Sequence, residues 1–311
     1  MNVLVTGGAG FIGSHLVERL LARGDAVTII DDFNDFYDPA LKRHNVRGFG
    51  DRAKLIEADI CSDLRRVFAA QPFDAIIHLA ARAGVRPSLA QPEVYTRVNV
   101  VGTQNLLELA REFGAKRFVF GSSSSVYGIN QKVPFSEDDP IFKPISPYAA
   151  TKLAGEALCH VYHHLYGLDV VCLRFFTVYG PRQRPDLAIR KFTRAVFAGE
   201  LIDIYGDGTS RRDYTYIDDI LQGILACLER NFGYEIINLG ESRTVDLREL
   251  LRLIEKATGK KARVRQLPMQ PGDVPITYAD ISKAKRLLGY QPQVAIEDGI
   301  GKFVAWYREQ G

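Results

Sequence analysis

No apolar run in this 311-residue chain approaches the roughly 18 residues that a membrane-spanning helix needs, so a membrane protein is not expected. Cysteine is scarce. Cys61, Cys159, Cys172 and Cys227 are scattered without a close pair, a pattern that fits reduced buried thiols better than disulfides or a metal centre. An excess of one charge is also missing. Forty basic and 37 acidic residues leave a formal +3 with no basic block, which argues against nucleic acid as a partner. No basic n-region or cleavage pattern precedes the first apolar run, so the expected location is cytoplasmic. Low-complexity tracts and internal repeats are absent too, which leaves an ordinary globular composition able to bury a substantial core.

What the chain has is an alternation. Apolar, β-branched runs at 2–6, 26–31, 54–58, 74–79, 116–121 and 169–174 are separated by helix-length segments near 11–23, 92–113 and 148–166. In those segments apolar residues recur at three- and four-residue spacing, the helical period. Continuous apolar strands separated by helices predict an α/β fold, a doubly wound parallel Rossmann sheet covered on both faces. Beyond about residue 180 the pattern loosens, punctuated by Pro181, Pro185, Pro268, Pro271 and Pro275, with Leu247–Thr258 reading as one more amphipathic helix. The expected organisation is a Rossmann domain over 1–175, with segments near 213–239 returning to it. A smaller C-terminal α/β lobe over 176–311 would bind substrate at the sheet's carboxyl edge.

The turn after the first strand reads Gly7-Gly8-Ala9-Gly10-Phe11-Ile12-Gly13. Glycines let backbone approach a pyrophosphate closely, and the following helix offers free N–H groups to the anion. Gly-rich turns also serve as plain connectors; here the flanking strand and helix, and Asp31-Asp32 ending the second strand, favour a nucleotide. Asp31 lies 21 residues beyond Gly10, where an acid meets the adenosine ribose. A carboxylate there opposes a 2′-phosphate, so NAD is expected rather than NADP. Asn34 follows in the same turn. Asp59 and Ile60 follow the third strand, where Asp59 would accept from the adenine amino group or cap a helix. Leu79, Ala80 and Ala81 end the fourth strand and are small enough to let a dinucleotide pass. Asn99 is either a cofactor contact or an interhelical hydrogen bond.

Ser146-Pro147 suits a helix start, and Tyr148 and Lys152 then stand four apart on one helical face. A nearby ammonium favours phenolate and would lower the tyrosine's pKa, so that it takes a proton from a sugar hydroxyl. The spacing alone is weak, because the chain has 14 tyrosines. It gains force from Ser122-Ser123-Ser124-Ser125-Val126-Tyr127-Gly128, which ends the fifth strand and turns hydroxyls toward the same cleft.

Together the Thr6–His15 opening, His78–Ala81, Ser122–Gly128 and Ser146–Lys152 resemble the extended short-chain dehydrogenase/reductases, in their nucleotide-sugar epimerase branch, over essentially the whole chain. The resemblance implies Ser123, Tyr148 and Lys152 as catalytic residues, with Ser122, Phe175 and Val178 also beside the cofactor. It implies a 4-epimerisation in which NAD takes a hydride from C4 and returns it to the other face, and therefore stays bound. Related dehydratases carry Asp-Glu, and decarboxylases a Glu, where this chain has Ser124 and Ser125, so simple epimerisation is favoured. Segments Ala83–Ser88, Arg174–Pro181 and Pro268–Val274 look most like UDP-glucuronate 4-epimerases. Thr177, Ser124 and Ser125 would form a hydroxyl cage for the sugar carboxylate, with Arg86 supplying charge there, contacting phosphate or ordering its loop. Arg184, Tyr205, Arg212 and Gln270 are expected at the nucleotide end, where the arginine fork suits diphosphate. The alternatives are a UDP-glucose 4-epimerase, a sugar-nucleotide reductase needing exchangeable NADPH, and a non-catalytic NAD sensor. The partner expected is a UDP-sugar. The helices at 92–113 and 148–166 are more apolar than one covered face requires, and since relatives pair two such helices across a dimer, the resemblance implies a homodimer.

Overall fold

In the computed structural model, which describes residues 1–268 and 274–310, the apolar runs form six parallel strands. They are β1 (Asn2–Thr6), β2 (Ala26–Asp31), β3 (Ala53–Glu57), β4 (Ala75–His78), β5 (Arg117–Ser123) and β6 (Asp169–Phe175). Six further strands follow: β7 (Thr177–Tyr179), β8 (Leu201–Tyr205), β9 (Arg211–Tyr216), β10 (Tyr234–Leu239), β11 (Thr244–Asp246) and β12 (Arg263–Leu267). The central sheet has seven strands in the order β10-β6-β5-β4-β1-β2-β3. Chain order reverses between β1 and β4, which creates the crevice where ligands of such sheets bind.

The period-two alternation of each strand divides the interior into two cores. Val3, Val5, Ile77, Val119, Val171 and Leu173 face one side, against α1 (Phe11–Ala22). Leu4, Ile76, Phe118, Phe120, Val170 and Cys172 face the other. There they meet Leu106, Leu107 and Cys159 of later helices. Between β2 and β5 the chain forms α2 (Pro39–Arg47), α3 (Arg65–Ala70), α4 (Val85–Ala90), α5 (Pro92–Thr96) and α6 (Gly102–Glu112). The expected helix over 92–113 is α5 and α6 joined through a wider π turn at Arg97–Val101, a local distortion common near functional sites. The long helix α7 (Pro147–Tyr166) starts where Ser146 accepts the Ala149 N–H at 3.1 Å, and it ends at Gly167 in the left-handed conformation.

The second half contributes α8 (Ala188–Ala198), α9 (Ile217–Ala226), α10 (Leu247–Thr258), α11 (Ser282–Leu288) and α12 (Ile296–Glu309). Strands β11, β9 and β7 form a three-stranded sheet, and β12 pairs with β8. Of the 213–239 segment, β10 joins the edge of the central sheet and α9 packs on α1, whereas β9 lies in the smaller sheet. The first core runs on without a break from α1 through Ile217, Leu239 and Leu250 to Phe303. At the seam, Arg182 adopts a left-handed φ of 62° and bonds Glu18 of α1 at 2.6 Å, and His15 bonds the Pro181 carbonyl at 2.9 Å. Among the described residues no helix is long and apolar enough to cross a membrane, and no His, Cys, Asp or Glu group is arranged to hold a metal ion.

Candidate active site

A cleft of about 480 Å³ opens at the carboxyl ends of the central strands. One end is made by the glycine turn. Gly7 has a φ of 70°, and a Cβ there would lie 2.7 Å from the Ala80 nitrogen, so this residue lets the β1 and β4 turns touch. At Gly13 a Cβ would come within 2.2 Å of the Gly7 carbonyl oxygen. Helix α1 starts at Gly10 without a side-chain cap, leaving its first N–H groups directed at the cleft that Phe11, Ile12 and Gly13 also line. These features fit a dinucleotide pyrophosphate.

Asp31, Asp32 and Asn34 continue the wall. Asp31 accepts the Ala9 and Phe33 N–H groups, each at 3.0 Å. Burial pushes its carboxyl above the ordinary value, and the Lys42 ammonium is foremost among the groups opposing that shift. Lys42, on α2, is itself buried and donates to the Asn34 carbonyl at 3.0 Å. Asp59 and Ile60 line the same end. Asp59 holds the Cys61 N–H at 2.8 Å and pairs with Arg97, so one oxygen closes a turn and the other meets a cation. Leu79, Ala80 and Ala81 form the cleft floor beside the glycines.

The middle of the cleft holds Ser122, Ser123, Tyr148 and Lys152. Ser123 ends β5, and its hydroxyl accepts the Ser125 N–H at 3.2 Å, which fixes the turn that presents Ser124 and Ser125. Lys152 donates to the Gly121 carbonyl at 2.6 Å and lies 4.9 Å from the Phe120 ring centroid. Burial lowers its amine to about 8, with Glu156 foremost among the groups opposing. The expectation that Lys152 lowers the Tyr148 pKa is not met in this structure. Burial raises the phenol above its ordinary value, and the groups pulling it down are the Ser123 hydroxyl and the Arg184 guanidinium. Lys152 is directed at the strand backbone instead.

Beyond Tyr148 the cleft is bounded by Ser124, Ser125, Phe175, Thr177, Val178, Arg184 and Arg212. Among the described residues the Ser125 hydroxyl is buried without a hydrogen-bond partner. Arg184 lines this part of the cleft, with its guanidinium 5.4 Å from the Phe36 ring centroid. Its fork holds Asp186 at 3.0 and 2.8 Å, and its charge acts on Tyr148 itself.

Three other expected contacts stand back from the cleft surface. Asn99 is spent on structure, accepting the Arg82 N–H at 2.8 Å and donating to the Arg82 carbonyl at 2.9 Å and to Thr151 at 3.0 Å. Arg86 lays its guanidinium 4.9 Å from the Tyr205 ring centroid, and neither residue is among those lining the cavity. Gln270 lies outside the described residues. Sequence reasoning missed Lys42, Phe36 and Tyr37, which also line the cleft. The Asp38-Pro39 helix start was a signal that could have found them, since the Asp38 carboxylate caps α2 at 2.9 Å.

A doubly wound sheet with a glycine turn at its switch point, an acid at the end of β2 and a Ser-Tyr-Lys group in the same cleft defines a short-chain dehydrogenase/reductase of the extended type. Residues 4–303 match the family described as GDP-mannose 4,6 dehydratase, and the chain belongs to it. Over 311 aligned residues, the chain is 47% identical to a UDP-glucuronate 4-epimerase of Thermodesulfobacterium geofontis, covering 98% of this chain and 96% of that one. The structure of UDP-glucuronic acid 4-epimerase from Bacillus cereus, in complex with UDP-glucuronic acid and NAD, superposes with a TM-score of 0.94 at 40% identity, covering both chains fully. A UDP-glucose 4-epimerase from Thermotoga maritima, solved with UDP-glucose, gives 0.93 at 35% identity, over 100% of this chain and 99% of that one.

Proposed function

We propose that the protein is an NAD-dependent 4-epimerase that interconverts UDP-glucuronate and UDP-galacturonate. The observation that carries this reading is the wall facing Tyr148. Among the described lining residues it presents the hydroxyls of Ser124, Ser125 and Thr177, one of them unpartnered, together with the Arg184 guanidinium, which Asp186 holds from behind the cleft lining. Hydroxyl donors and a guanidinium suit an anionic group on the sugar. The absence of an acid at Ser124 and Ser125 deprives the site of the extra proton chemistry that elimination requires. Arg184 takes the carboxylate role considered for Arg86, because Arg184 lines the cleft and Arg86 does not.

The glycine turn, the uncapped start of α1 and Asp31 hold NAD, with the two Asp31 oxygens oriented by backbone N–H groups. Bound there, NAD supplies the acceptor for the C4 hydride and the donor for its return. Tyr148 removes the proton from the 4-hydroxyl as the hydride leaves, with Ser123 hydrogen-bonded at the same oxygen, and gives the proton back when the hydride returns to the opposite face. Lys152, held at the Gly121 carbonyl, steadies the ribose beside Tyr148. Arg212 serves the diphosphate. The protein works as a cytoplasmic homodimer joined through α7, whose Ala157, Val161 and Leu165 stand exposed in a stripe at four-residue spacing. Purified protein given UDP-glucuronate without added cofactor should yield UDP-galacturonate. Conversion of UDP-glucose alone would overturn the substrate, and release of carbon dioxide would overturn simple epimerisation.

A further inference from the structure

Behind the cleft wall, a chain of buried polar groups joins the catalytic helix to the serine turn. Glu156 on α7 and Arg174 on β6 are 2% and 1% exposed, and neither lines the cavity. Arg174 grips Glu156 with two bonds, Nε to Oε1 at 2.9 Å and Nη2 to Oε2 at 2.8 Å. The Ser122 hydroxyl donates to the same Oε1 at 2.6 Å. On the other side of the guanidinium, Nη1 donates to the Tyr127 hydroxyl at 3.0 Å, which in turn donates to Asn238 at 2.7 Å. Tyr127 closes the turn that carries Ser124 and Ser125.

As packing this arrangement is expensive, because desolvating two charges costs about as much as their attraction returns, or more. Its geometry gives it a second use. Glu156 sits four residues after Lys152, on the same face of α7, so the negative end of the pair lies toward the amine. The positive end lies toward the serine turn. In a low-dielectric interior such a fixed dipole acts strongly on a neighbouring charge.

We propose that Glu156 and Arg174 are positioning residues for the epimerisation, the Glu156 carboxylate keeping Lys152 protonated and Arg174 fixing the Ser124–Tyr127 turn. The proposal rests on Tyr148 and Lys152 being the reactive pair. Glu156 is the foremost group opposing the burial of the Lys152 amine, the Cys159 thiol on the same helix is the next, and His78 of β4, held neutral by burial, faces the amine from the sheet. Without that carboxylate the amine loses its proton at a pH where the native site still holds it. The ribose beside Tyr148 then loses the cation that steadies it.

The test uses the NAD-loaded protein and compares Glu156→Gln, the double variant Glu156→Met with Arg174→Met, and Arg174→Lys. Three readouts are taken: the pH profile of kcat and KM, thermal unfolding, and the NMR titration of the Lys152 side chain, assigned from Lys152→Met. Glu156→Gln should bring the alkaline limb of kcat and the Lys152 titration down together by about one pH unit or more, with KM for UDP-glucuronate unchanged. The double variant leaves no unpaired buried charge, so it should regain stability while keeping the lowered limb; if Glu156→Gln does not fold, the double variant decides alone. Arg174→Lys keeps the charge without the fork, and should raise KM with the alkaline limb in place. A Lys152 titration at its native position in the double variant would reduce the pair to packing and overturn the proposal. An unchanged KM in Arg174→Lys would remove Arg174's share. Should the wild type epimerise no UDP-sugar, the functional reading fails, while the lysine titration still decides whether Glu156 sets the charge.

Discussion

Tyr95 meets Tyr148 edge to face, with ring centroids 6.2 Å apart and planes at 82°, and spends its own hydroxyl on the Ala83 carbonyl 2.7 Å away. Tyr95 is buried, so it holds the Tyr148 phenol by shape and offers it no proton. Tyr95→Phe keeps the edge contact and loses one hydrogen bond, costing about 1 kcal/mol of stability and little activity. Tyr95→Ala leaves a cavity beside Tyr148 and should cost about 3–5 kcal/mol, with a clear fall in kcat. Steady-state kinetics beside thermal unfolding check the order; equal kcat in the two variants would deny Tyr95 its supporting role.

Arg184 is clamped by Asp186 on one side and acts on Tyr148 on the other. If it meets the sugar carboxylate, Arg184→Met should lower kcat/KM for UDP-glucuronate by roughly tenfold or more, in keeping with loss of a charge-assisted bond. Any rate with UDP-glucose should change far less. The same loss for both sugars would return Arg184 to the nucleotide end.

His78 is buried between Thr6 at 2.7 Å and Thr103 at 2.9 Å, and burial holds its pKa down to about 3. The unfolded chain binds this proton near pH 6.5 while the folded one does not. The stabilising contribution is therefore full above about pH 6.5 and is lost as pH falls toward 3. Stability should fall by up to about 1.4 kcal/mol per pH unit across that window on this account. His78→Gln should flatten the slope in denaturant titrations at several pH values.

Gly13→Ala would set a methyl group against the Gly7 carbonyl at the start of α1. The variant should purify folded but carry much less NAD than the wild type, measured from nicotinamide absorbance after denaturation. A normal NAD content would show that the turn can shift to accept the methyl.

These expectations draw unevenly on what the sequence shows. The strands β1 to β6, the glycine turn and the starts of α1 and α7 are written in local spacing: period two, period 3.6, and Ser146-Pro147 at a helix entrance. Lys42 is not written that way. Its burial depends on α2 folding back beneath the Asn34 turn, a contact between distant surfaces with no local period. Asn99 illustrates the converse. An amide on a helix near a ligand reads the same whether it faces the cleft or, as here, ties the Arg82 loop to Thr151. The Tyr148–Lys152 spacing was visible, but the direction of the lysine depended on a carbonyl of another strand.

Strand β10 returns to pair with β6 along six residues, from Tyr234 beside Val170 to Leu239 beside Phe175. A fragment ending at residue 176 would bare that side of β6 as a row of unsatisfied backbone groups, an invitation to aggregate. The sheet that carries the glycine turn is thus sealed by chain that has already passed through the smaller sheets. Exchanging everything after residue 176 with a relative's chain would exchange the sealing strand too, whereas point substitutions on the cleft wall leave the β6–β10 seam as it is.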